Sequence, residues 1–354
     1  MSSGLLHDLA QGIRRNISGR KALVQGVGFA LGLALVAWVL LGALRAADDP
    51  SRAGILQSLR QAWSDRPLLV LGLAATTLGS LIIDGALFWL VLLPVRRLGF
   101  MEIQWLTFVA ALSNFFPVRL GVPMRYAYHM RANRMTFWQA TAWFVAVTLV
   151  ILAALGAVIV GTVVESHPDW LWCVTVLAAL AVAGLALRWV VTLGPIRTRL
   201  HGWERMLTTP RTYWAGAIIR VVEIGLWIIR MWCAAEILNL GLSFATVTIL
   251  GVAAITVMLN PLGRLGFREA TTVLVASWLA GNGTDLAHLD GGFKQLALLE
   301  SVGEMLTTIP LGLVALPMLA RWYRRRMNEW RSADAARAAA QRSASGESGA
   351  QDPA

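Results

Sequence analysis

The sequence predicts an all-α polytopic membrane protein with six full spans and two re-entrant helical hairpins that form an inverted-topology repeat. Hydrophobic residues make up 57% of the 354 residues and charged residues only 14%, and the mean hydropathy is +0.61, which lies outside the range of soluble domains. Six apolar runs are long enough to cross a bilayer. Two further regions interrupt short apolar runs with Pro, Gly and Arg, which is typical of helices that enter a membrane and turn back.

The predicted spans are the apolar runs of about 20 residues or more, the length that crosses the hydrocarbon layer as a helix. They cover residues 22–44, 67–94, 137–164, 170–192, 211–239 and 293–319. Three runs are too short, and they cover residues 103–116, 244–259 and 268–280. Between the first two spans, residues 48–63 place an apolar stripe on one face, which predicts an amphipathic helix in the membrane interface. The first span has Gly28 and Gly32 at the spacing of helix-dimer contacts, so a homodimer is an open prediction.

The basic residues orient the predicted spans, because short cytoplasmic loops retain Lys and Arg. With a cytoplasmic N-terminus, 22 of the 31 Lys and Arg residues fall on the cytoplasmic side and four fall outside. Counting one short run as a full span would invert the later segments and remove this asymmetry. The short runs are therefore predicted to be re-entrant, with both termini cytoplasmic. The resulting domains are a basic N-terminus (1–21), a transmembrane domain (22–322, with repeat halves at about 67–164 and 211–319) and a basic, then disordered, cytoplasmic tail (323–354).

A short motif occurs in both interrupted regions. Residues 114–121 read NFFPVRLG and residues 260–266 read NPLGRLG, and their Arg-Leu-Gly triplets lie 145 residues apart. Each motif sits between two long predicted spans, and the two regions have opposite directions, as in the inverted repeats of alternating-access carriers. Proline and glycine are predicted to form the turns, since Pro lacks a donor and Gly accepts unusual dihedral angles. These turn residues are Pro117, Gly121, Pro123, Pro261, Gly263 and Gly266.

The two regions, LSNFFPVRLGVPMRYAYHMRANRMTFWQATA and LNPLGRLGFREATTVLVASWLAG, resemble the flippase-like transmembrane region of lysylphosphatidylglycerol synthases and of stand-alone bacterial and archaeal membrane proteins. The resemblance covers roughly residues 20–322. It implies movement of an anionic phospholipid, an aminoacylated phospholipid or a polyprenyl-linked lipid between the leaflets of the inner membrane. Two features depart from the family pattern: Val122, and not Glu, follows Gly121, and no aminoacyltransferase domain follows Arg321. A translocase without synthase activity is therefore expected, served by a lipid-synthesis enzyme encoded elsewhere.

Arginine and asparagine in the two regions are the candidate substrate-binding residues. Guanidinium binds a phosphate group through two parallel hydrogen bonds, and backbone amides at a turn can add donors. The candidates are Arg119, Arg125, Arg264, Arg268, Asn114 and Asn260. The alternative for the arginines is snorkelling, in which the side chain merely reaches the membrane surface.

A second group of charged residues lies inside or beside the predicted spans, where an ionised side chain costs at least about 2.5 kcal/mol unless it is paired. The candidates for proton coupling or ion pairing are Asp84, Arg220, Glu223, Glu269, Glu300 and Glu304. Glu300 and Glu304 are one helical turn apart, so one of these neighbouring carboxyl groups could carry a proton during transport. The alternative is a set of interhelical ion pairs that hold the bundle together, which is also the interpretation of Arg230 and Glu236.

Other function classes find less support in the sequence. The five His and two Cys residues form no metal-ligand or nucleophile motif, so no metal, cofactor, catalytic residue or nucleic-acid partner is expected. A transferase with a lipid-phosphate donor would need an acidic pair outside the membrane, for which Asp48 and Asp49 are the candidates, although both also suit a helix start. A non-transporting scaffold could use the basic run from Arg324 to Arg326 and the tail that follows it.

The predicted topology can be tested by labelling single cysteines in a cysteine-free background. Residues 167 and 288 are expected to react from outside, and residues 128 and 201 from the cytoplasm, because the short runs turn back. If residues 128 and 167 react from the same side, the re-entrant hairpins and the inverted repeat are both wrong.

Overall fold

The computed structural model describes residues 55–115, 120–193, 203–257, 266–281 and 290–347, together with five isolated helical positions between 30 and 41. Within these ranges every regular element is helical, which confirms the all-α prediction. The helices are α1 (Ile55–Asp65), α2 (Pro67–Leu92), α3 (Phe100–Ser113), α4 (Gly121–Ala132), α5 (Phe137–Val164), α6 (Trp170–Thr192), α7 (Arg205–Thr208), α8 (Pro210–Ile237), α9 (Phe244–Val257), α10 (Phe267–Gly281) and α11 (Asp290–Glu347).

Four of the described helices are long and apolar enough to cross a membrane: α2, α5, α6 and the Gly292–Gln341 part of α11. Helices α5 and α6 have the predicted span bounds to the residue. Helix α8 also has 28 residues, but it carries several charged residues and is not among the four. The predicted span 22–44 lies outside the described residues except at the five isolated positions. By length and composition these helices indicate a membrane protein.

Side-chain caps define the starts of α5 and α6. The Thr136 hydroxyl accepts a hydrogen bond from the Gln139 backbone N–H at 3.3 Å, while the Gln139 side-chain oxygen accepts from the Thr136 N–H at 2.9 Å. This reciprocal pair is a capping box. At the start of α6, Asp169 Oδ1 accepts from the Trp172 N–H at 2.8 Å. Both helices therefore begin directly after a capping side chain that precedes the apolar run, and for this reason the sequence shows where they start.

The order and lengths of the helices are repeated within the chain. Helices α2, α3, α4 and α5 have 26, 14, 12 and 28 residues. Helices α8, α9 and α10 have 28, 14 and 15 residues, and the long α11 follows. Each of α8, α9 and α10 begins 143 to 146 residues after its counterpart, which matches the spacing of the Arg-Leu-Gly triplets. We call α3 with α4 the first hairpin, and α9 with α10 the second hairpin.

Helices α2 and α8 pack along each other at the centre of the bundle and run antiparallel. A Cβ on Gly72, early in α2, would lie 3.1 Å from Cys233 Sγ, late in α8. A Cβ on Gly216, early in α8, would lie 3.4 Å from a methyl carbon of Leu87, late in α2. Helices α2 and α8, the first of each of the two series of helices, therefore have opposite directions. Buried apolar side chains of α2, α5, α8 and α9 form most of the main core around them.

Asn114 links the two helices of the first hairpin. Its Oδ1 accepts a hydrogen bond from the Gly121 backbone N–H at 3.2 Å. A larger residue at position 121 would not fit, because a Cβ there would lie 2.4 Å from Asn114 Oδ1 and 2.6 Å from the Ala110 carbonyl oxygen. Pro123 lies in the first turn of α4, where a missing N–H is tolerated. Pro117 lies outside the described residues.

Gly266 has the corresponding place in the second hairpin, directly before α10. Its φ of +82° lies in the left-handed region that glycine adopts most easily. Its N–H donates to Glu269 Oε2 at 2.7 Å, so Glu269 caps the start of α10. In both hairpins, a glycine amide before or at the start of the second helix is therefore bound by a side-chain oxygen. Pro261 and Gly263 lie outside the described residues.

Helix α11 continues to Glu347, which corrects the prediction of a disordered tail for most of its length. The segment after residue 332 is rich in Ala, the residue with the highest helix propensity, and extending an existing helix needs no new nucleation. Pro310 and Pro317 lie inside the helix. Of the predicted tail, residues 348–354 lie outside the described part of the chain.

Gly121→Ala is expected to destabilise the first hairpin, because the added methyl group overlaps Asn114 and the Ala110 carbonyl group. Gly156→Ala in α5 is the matched control, since a Cβ there would meet no described atom of another helix within 4 Å and Ala exceeds Gly in helix propensity by about 1 kcal/mol. Thermal unfolding in detergent, monitored by size-exclusion chromatography, should show a lower unfolding midpoint temperature for Gly121→Ala and not for Gly156→Ala. Unchanged midpoints in both variants would mean that the close approach at Gly121 is not required.

Candidate functional site

A buried group of charged side chains joins the second hairpin to the long helices. This second-hairpin cluster consists of Arg230 on α8, Arg268 and Glu269 on α10, and Glu300 and Glu304 on α11. Each of the five residues is at most 3% exposed. Charged residues are almost never fully buried unless they are paired, so the geometry of the pairs decides what the cluster can do.

Two arginines share two carboxylates in the second-hairpin cluster. Arg230 Nη2 lies 2.6 Å from Glu300 Oε1 and 3.9 Å from Glu304 Oε2. Arg268 Nη2 lies 3.0 Å from Glu300 Oε2, and its Nη1 pairs with Glu304. Each of these two carboxylates thus faces guanidinium groups from two different helices. The ion pairs therefore tie α8, α10 and α11 to one another.

Hydrogen bonds extend the second-hairpin cluster in two directions. Ser301 donates to Glu269 and accepts from Arg268, which adds a further link between α10 and α11. Arg230 Nη1 donates to the hydroxyl of Thr77 on α2 at 3.3 Å. The cluster therefore contacts four helices.

A second charged group lies at the first hairpin. This first-hairpin cluster consists of Asp84 on α2, Arg125 on α4, and Arg220 and Glu223 on α8. Arg125 Nη2 lies 3.1 Å from Asp84 Oδ2, and Arg220 pairs with Glu223 on its own helix. The Asp84 side chain is 25% exposed, whereas the other three side chains are at most 8% exposed. Asp84 is therefore the most accessible member of this cluster.

An aromatic ring lies against one arginine in each cluster. Arg125 Cζ is 3.8 Å from the centre of the Phe88 ring, and Arg230 Cζ is 3.6 Å from that of Trp227. A desolvated cation–π contact of this kind stabilises the cation by about 2 kcal/mol, so the ring partly replaces water around the buried charge. The N–H groups of the guanidinium point outward in its own plane and stay available to oxygen acceptors.

Both clusters lie near the middle of the α2–α8 pair. Thr77, bound by the second-hairpin cluster, and Asp84, in the first-hairpin cluster, are seven residues apart on α2 (84 − 77 = 7). This separation is about 10 Å along the helix axis. The two residues lie on either side of the midpoint of α2, which is long and apolar enough to cross a membrane. An unpaired charge in the middle of such a span costs at least about 2.5 kcal/mol. Pairing is therefore required at both levels.

The predicted site residues that the structure describes fall in three places. Asn114 closes the first hairpin, while Arg125 and Arg268, predicted to bind substrate, are each paired with carboxylates. The first-hairpin cluster contains the predicted coupling residues Asp84, Arg220 and Glu223, and the second-hairpin cluster contains Glu269, Glu300 and Glu304. Outside the described residues lie Arg119, Arg264 and Asn260.

One further buried charge escapes detection from the sequence. Glu102 is fully buried and accepts hydrogen bonds from the Tyr128 hydroxyl at 3.1 Å and from Asn133 Nδ2 at 3.0 Å. Arg326 Nη2 lies 3.3 Å from its other oxygen. Glu102 is separated from Arg326 by 224 residues, so no local pattern connects the two. The only signal is an acidic residue directly before an apolar run.

The chemistry available to the two clusters is the exchange of ion-pair partners. A guanidinium group can release a carboxylate and bind an oxyanion of a ligand in the same geometry. Among the described residues, no three His, Cys, Asp or Glu side chains are grouped so as to hold a metal ion. Comparison of the chain with protein-family models, with curated proteins and with solved structures finds no match.

Arg230→Ala is expected to lower the stability of the fold, because it leaves Glu300 without one of its two guanidinium partners. Breaking one side of a buried ion pair typically removes about 3 to 5 kcal/mol, whereas an exposed pair contributes about 1 kcal/mol or less. Arg325→Ala is the control, since Arg325 is 74% exposed and pairs with Glu329 at 3.1 Å on the surface of α11. Thermal melts in the same detergent compare the two variants. Equal midpoints would show that the buried pairs do not stabilise the bundle.

Proposed function

We propose that the protein is a lipid translocase that moves an amphiphilic, anionic phospholipid or polyprenyl-linked lipid between the leaflets of the inner membrane. The main support is that each hairpin buries one arginine against a carboxylate of a long helix. These arginines are Arg125 in the first hairpin and Arg268 in the second. A lipid phosphate suits such an arginine, because phosphate, like carboxylate, accepts two parallel hydrogen bonds from guanidinium. The hairpin sequences also resemble those of the flippase-like family, whose members are expected to move lipids between leaflets.

The proposed topology has six spans and two re-entrant hairpins, with both termini in the cytoplasm. Helices α3 and α9 have 14 residues each, or about 21 Å, which is shorter than the hydrocarbon layer of about 30 Å. The repeated helix lengths and the antiparallel α2–α8 pair support an inverted repeat. Tyr128 is buried in the first hairpin, so the exposed Arg131 is the better position for cysteine labelling there.

In the proposed transport cycle, the lipid headgroup exchanges with an internal carboxylate. Asp84 is partly exposed and can leave Arg125, which then binds the lipid phosphate. On the other side of the repeat, Glu300 and Glu304 release Arg268 in the same way. Each arginine keeps an anionic partner throughout, so that no unpaired cation is left in the hydrocarbon layer.

Two additional roles belong to the same proposal. Arg119 and Arg264 stand in the Arg-Leu-Gly triplets of the two hairpins, where they would make the first contact with the phosphate. Glu300 and Glu304 are the proposed sites of proton coupling, because protonation of either carboxyl group would weaken its hold on Arg268. Catalysis is not part of the proposal.

Arg125→Gln is expected to slow lipid exchange by about tenfold or more, since a charge-assisted hydrogen bond contributes about 1.5 to 3 kcal/mol. The Gln amide can still donate a hydrogen bond to Asp84, the ion-pair partner of Arg125, and a thermal melt in detergent checks that the variant is folded before lipid exchange is measured. Arg205→Gln is the control, as Arg205 is an exposed arginine at the start of α7. The measurement is transfer of fluorescent phosphatidylglycerol between leaflets of proteoliposomes, read by quenching of the outer leaflet.

Full exchange in Arg125→Gln, and also in Arg119→Ala and Arg264→Ala, would leave these arginines with a structural or snorkelling role. If the unaltered protein exchanges no lipid but converts a lipid-phosphate donor, a transferase that uses Asp48 and Asp49 is favoured. If it does neither, a scaffold is favoured. Both of these results contradict the translocase.

A further inference from the structure

Helix α11 contacts both hairpins, although it follows the second hairpin in the chain. Near its start, Glu300 and Glu304 pair with Arg268 of the second hairpin. Far along the same helix, Arg326 and Trp330 contact the first hairpin. A single continuous helix therefore connects the two halves of the repeat.

The contact between α11 and the first hairpin, which we call the terminal contact, holds both helices of that hairpin. Arg326 Nη2 lies 3.3 Å from Glu102 Oε2, in the first turn of α3. Trp330 Nε1 donates a hydrogen bond of 2.8 Å to the carbonyl oxygen of Ala132, the last residue of α4. The carbonyl groups at the end of a helix lack helical donors, so Trp330 supplies one that α4 requires.

A second pair of residues reinforces the terminal contact at the surface. The guanidinium carbon of Arg134 lies 4.2 Å from the centre of the Trp330 ring, and Arg134 also pairs with Asp334. The hydrogen bond from Arg134 lowers the pKa of the exposed Asp334 carboxyl group, so this pair is ionised at neutral pH. Exposed ion pairs contribute little to stability, and Arg326 and Trp330 therefore account for most of the terminal contact.

The distance between the two attachments is set by the helix itself. Glu304 and Arg326 are 22 residues apart (326 − 304 = 22), which is about 33 Å along a helix. Pro310 and Pro317 lie between them, and each removes a helical hydrogen bond and allows bending. The helix nevertheless continues through both prolines to Glu347, so that both attachments stand on one element.

We propose that α11 couples the two hairpins, so that release of the terminal contact loosens the ion pairs of the second hairpin, and release of those ion pairs loosens the first hairpin. Coupling between two sites is reciprocal by thermodynamic necessity. The proposed coupling between the two hairpins does not depend on which molecule the protein carries. Glu102 also accepts hydrogen bonds from Tyr128 and Asn133, so two donors remain available to its carboxylate in a variant without Arg326.

Amide hydrogen exchange of the full chain in lipid nanodiscs tests this coupling without any transport assay. Arg326→Ala is expected to speed exchange by about threefold or more in residues 121–134 and also in residues 267–281. Arg324→Ala is the matched control, because Arg324 is exposed and donates to the Ala320 carbonyl group of its own helix. This control should leave both segments at their original rates.

The reciprocal variant is Glu304→Gln, which weakens the pairing with Arg268 and should speed exchange in residues 129–134. Trp330→Phe removes the hydrogen bond to Ala132 but keeps an aromatic ring, and it serves as a second way to weaken the terminal contact if Arg326→Ala does not yield folded protein. Faster exchange confined to the first hairpin after loss of Arg326 or of the Trp330 hydrogen bond would overturn the coupling. Unchanged rates in both hairpins would overturn it as well.

Discussion

Charge in the middle of an apolar bundle must be balanced by nearby opposite charge, and the arrangement of the helices depends on this constraint. Arg230 lies in the second half of α8 and is buried, so that water cannot solvate it, and it needs Glu300 from α11. Glu300 in turn faces Arg268 from the second hairpin. If any one of the three helices moved away, it would leave an unpaired ion in the interior, which is among the most unfavourable situations in a folded protein. The ion pairs therefore specify which helices must be neighbours.

The hairpins satisfy a second constraint, which concerns the backbone. Helices that end inside a bundle leave N–H groups without helical partners, and both hairpins provide side-chain oxygens for them. In the first hairpin Asn114 binds the amide of Gly121. In the second, Glu269 binds the amide of Gly266 through one oxygen and Ser301 through the other. Glu269 thus links the start of α10 directly to the charged interior, so the turn and the second-hairpin cluster cannot rearrange independently.

The two series of helices, which begin with α2 and α8, have similar lengths but end differently. Helix α5 stops at Val164, whereas its counterpart α11 continues to Glu347. The added length brings Trp330 and Arg326 to the first hairpin. The two series therefore differ mainly in their last helix: α11 contacts the first hairpin as well as the second. The similar motifs in the sequence do not show this difference.

Local sequence patterns were enough to predict the helical class, the bounds of α5 and α6, the spacing of the two hairpins and most of the charged residues that need partners; Glu102 is the exception. These properties depend on run length, caps and the cost of burying charge, all of which are written in neighbouring residues. The partner of each charged residue, by contrast, depends on how the helices pack. Any guanidinium group can pair with any carboxylate. The neighbouring residues in the sequence therefore do not show that Arg230 pairs with Glu300 and not with Glu236, or that Glu102 pairs with Arg326. The packing of α11 against α8 and α3 makes those choices, because it brings residues far apart in the chain within reach of one another.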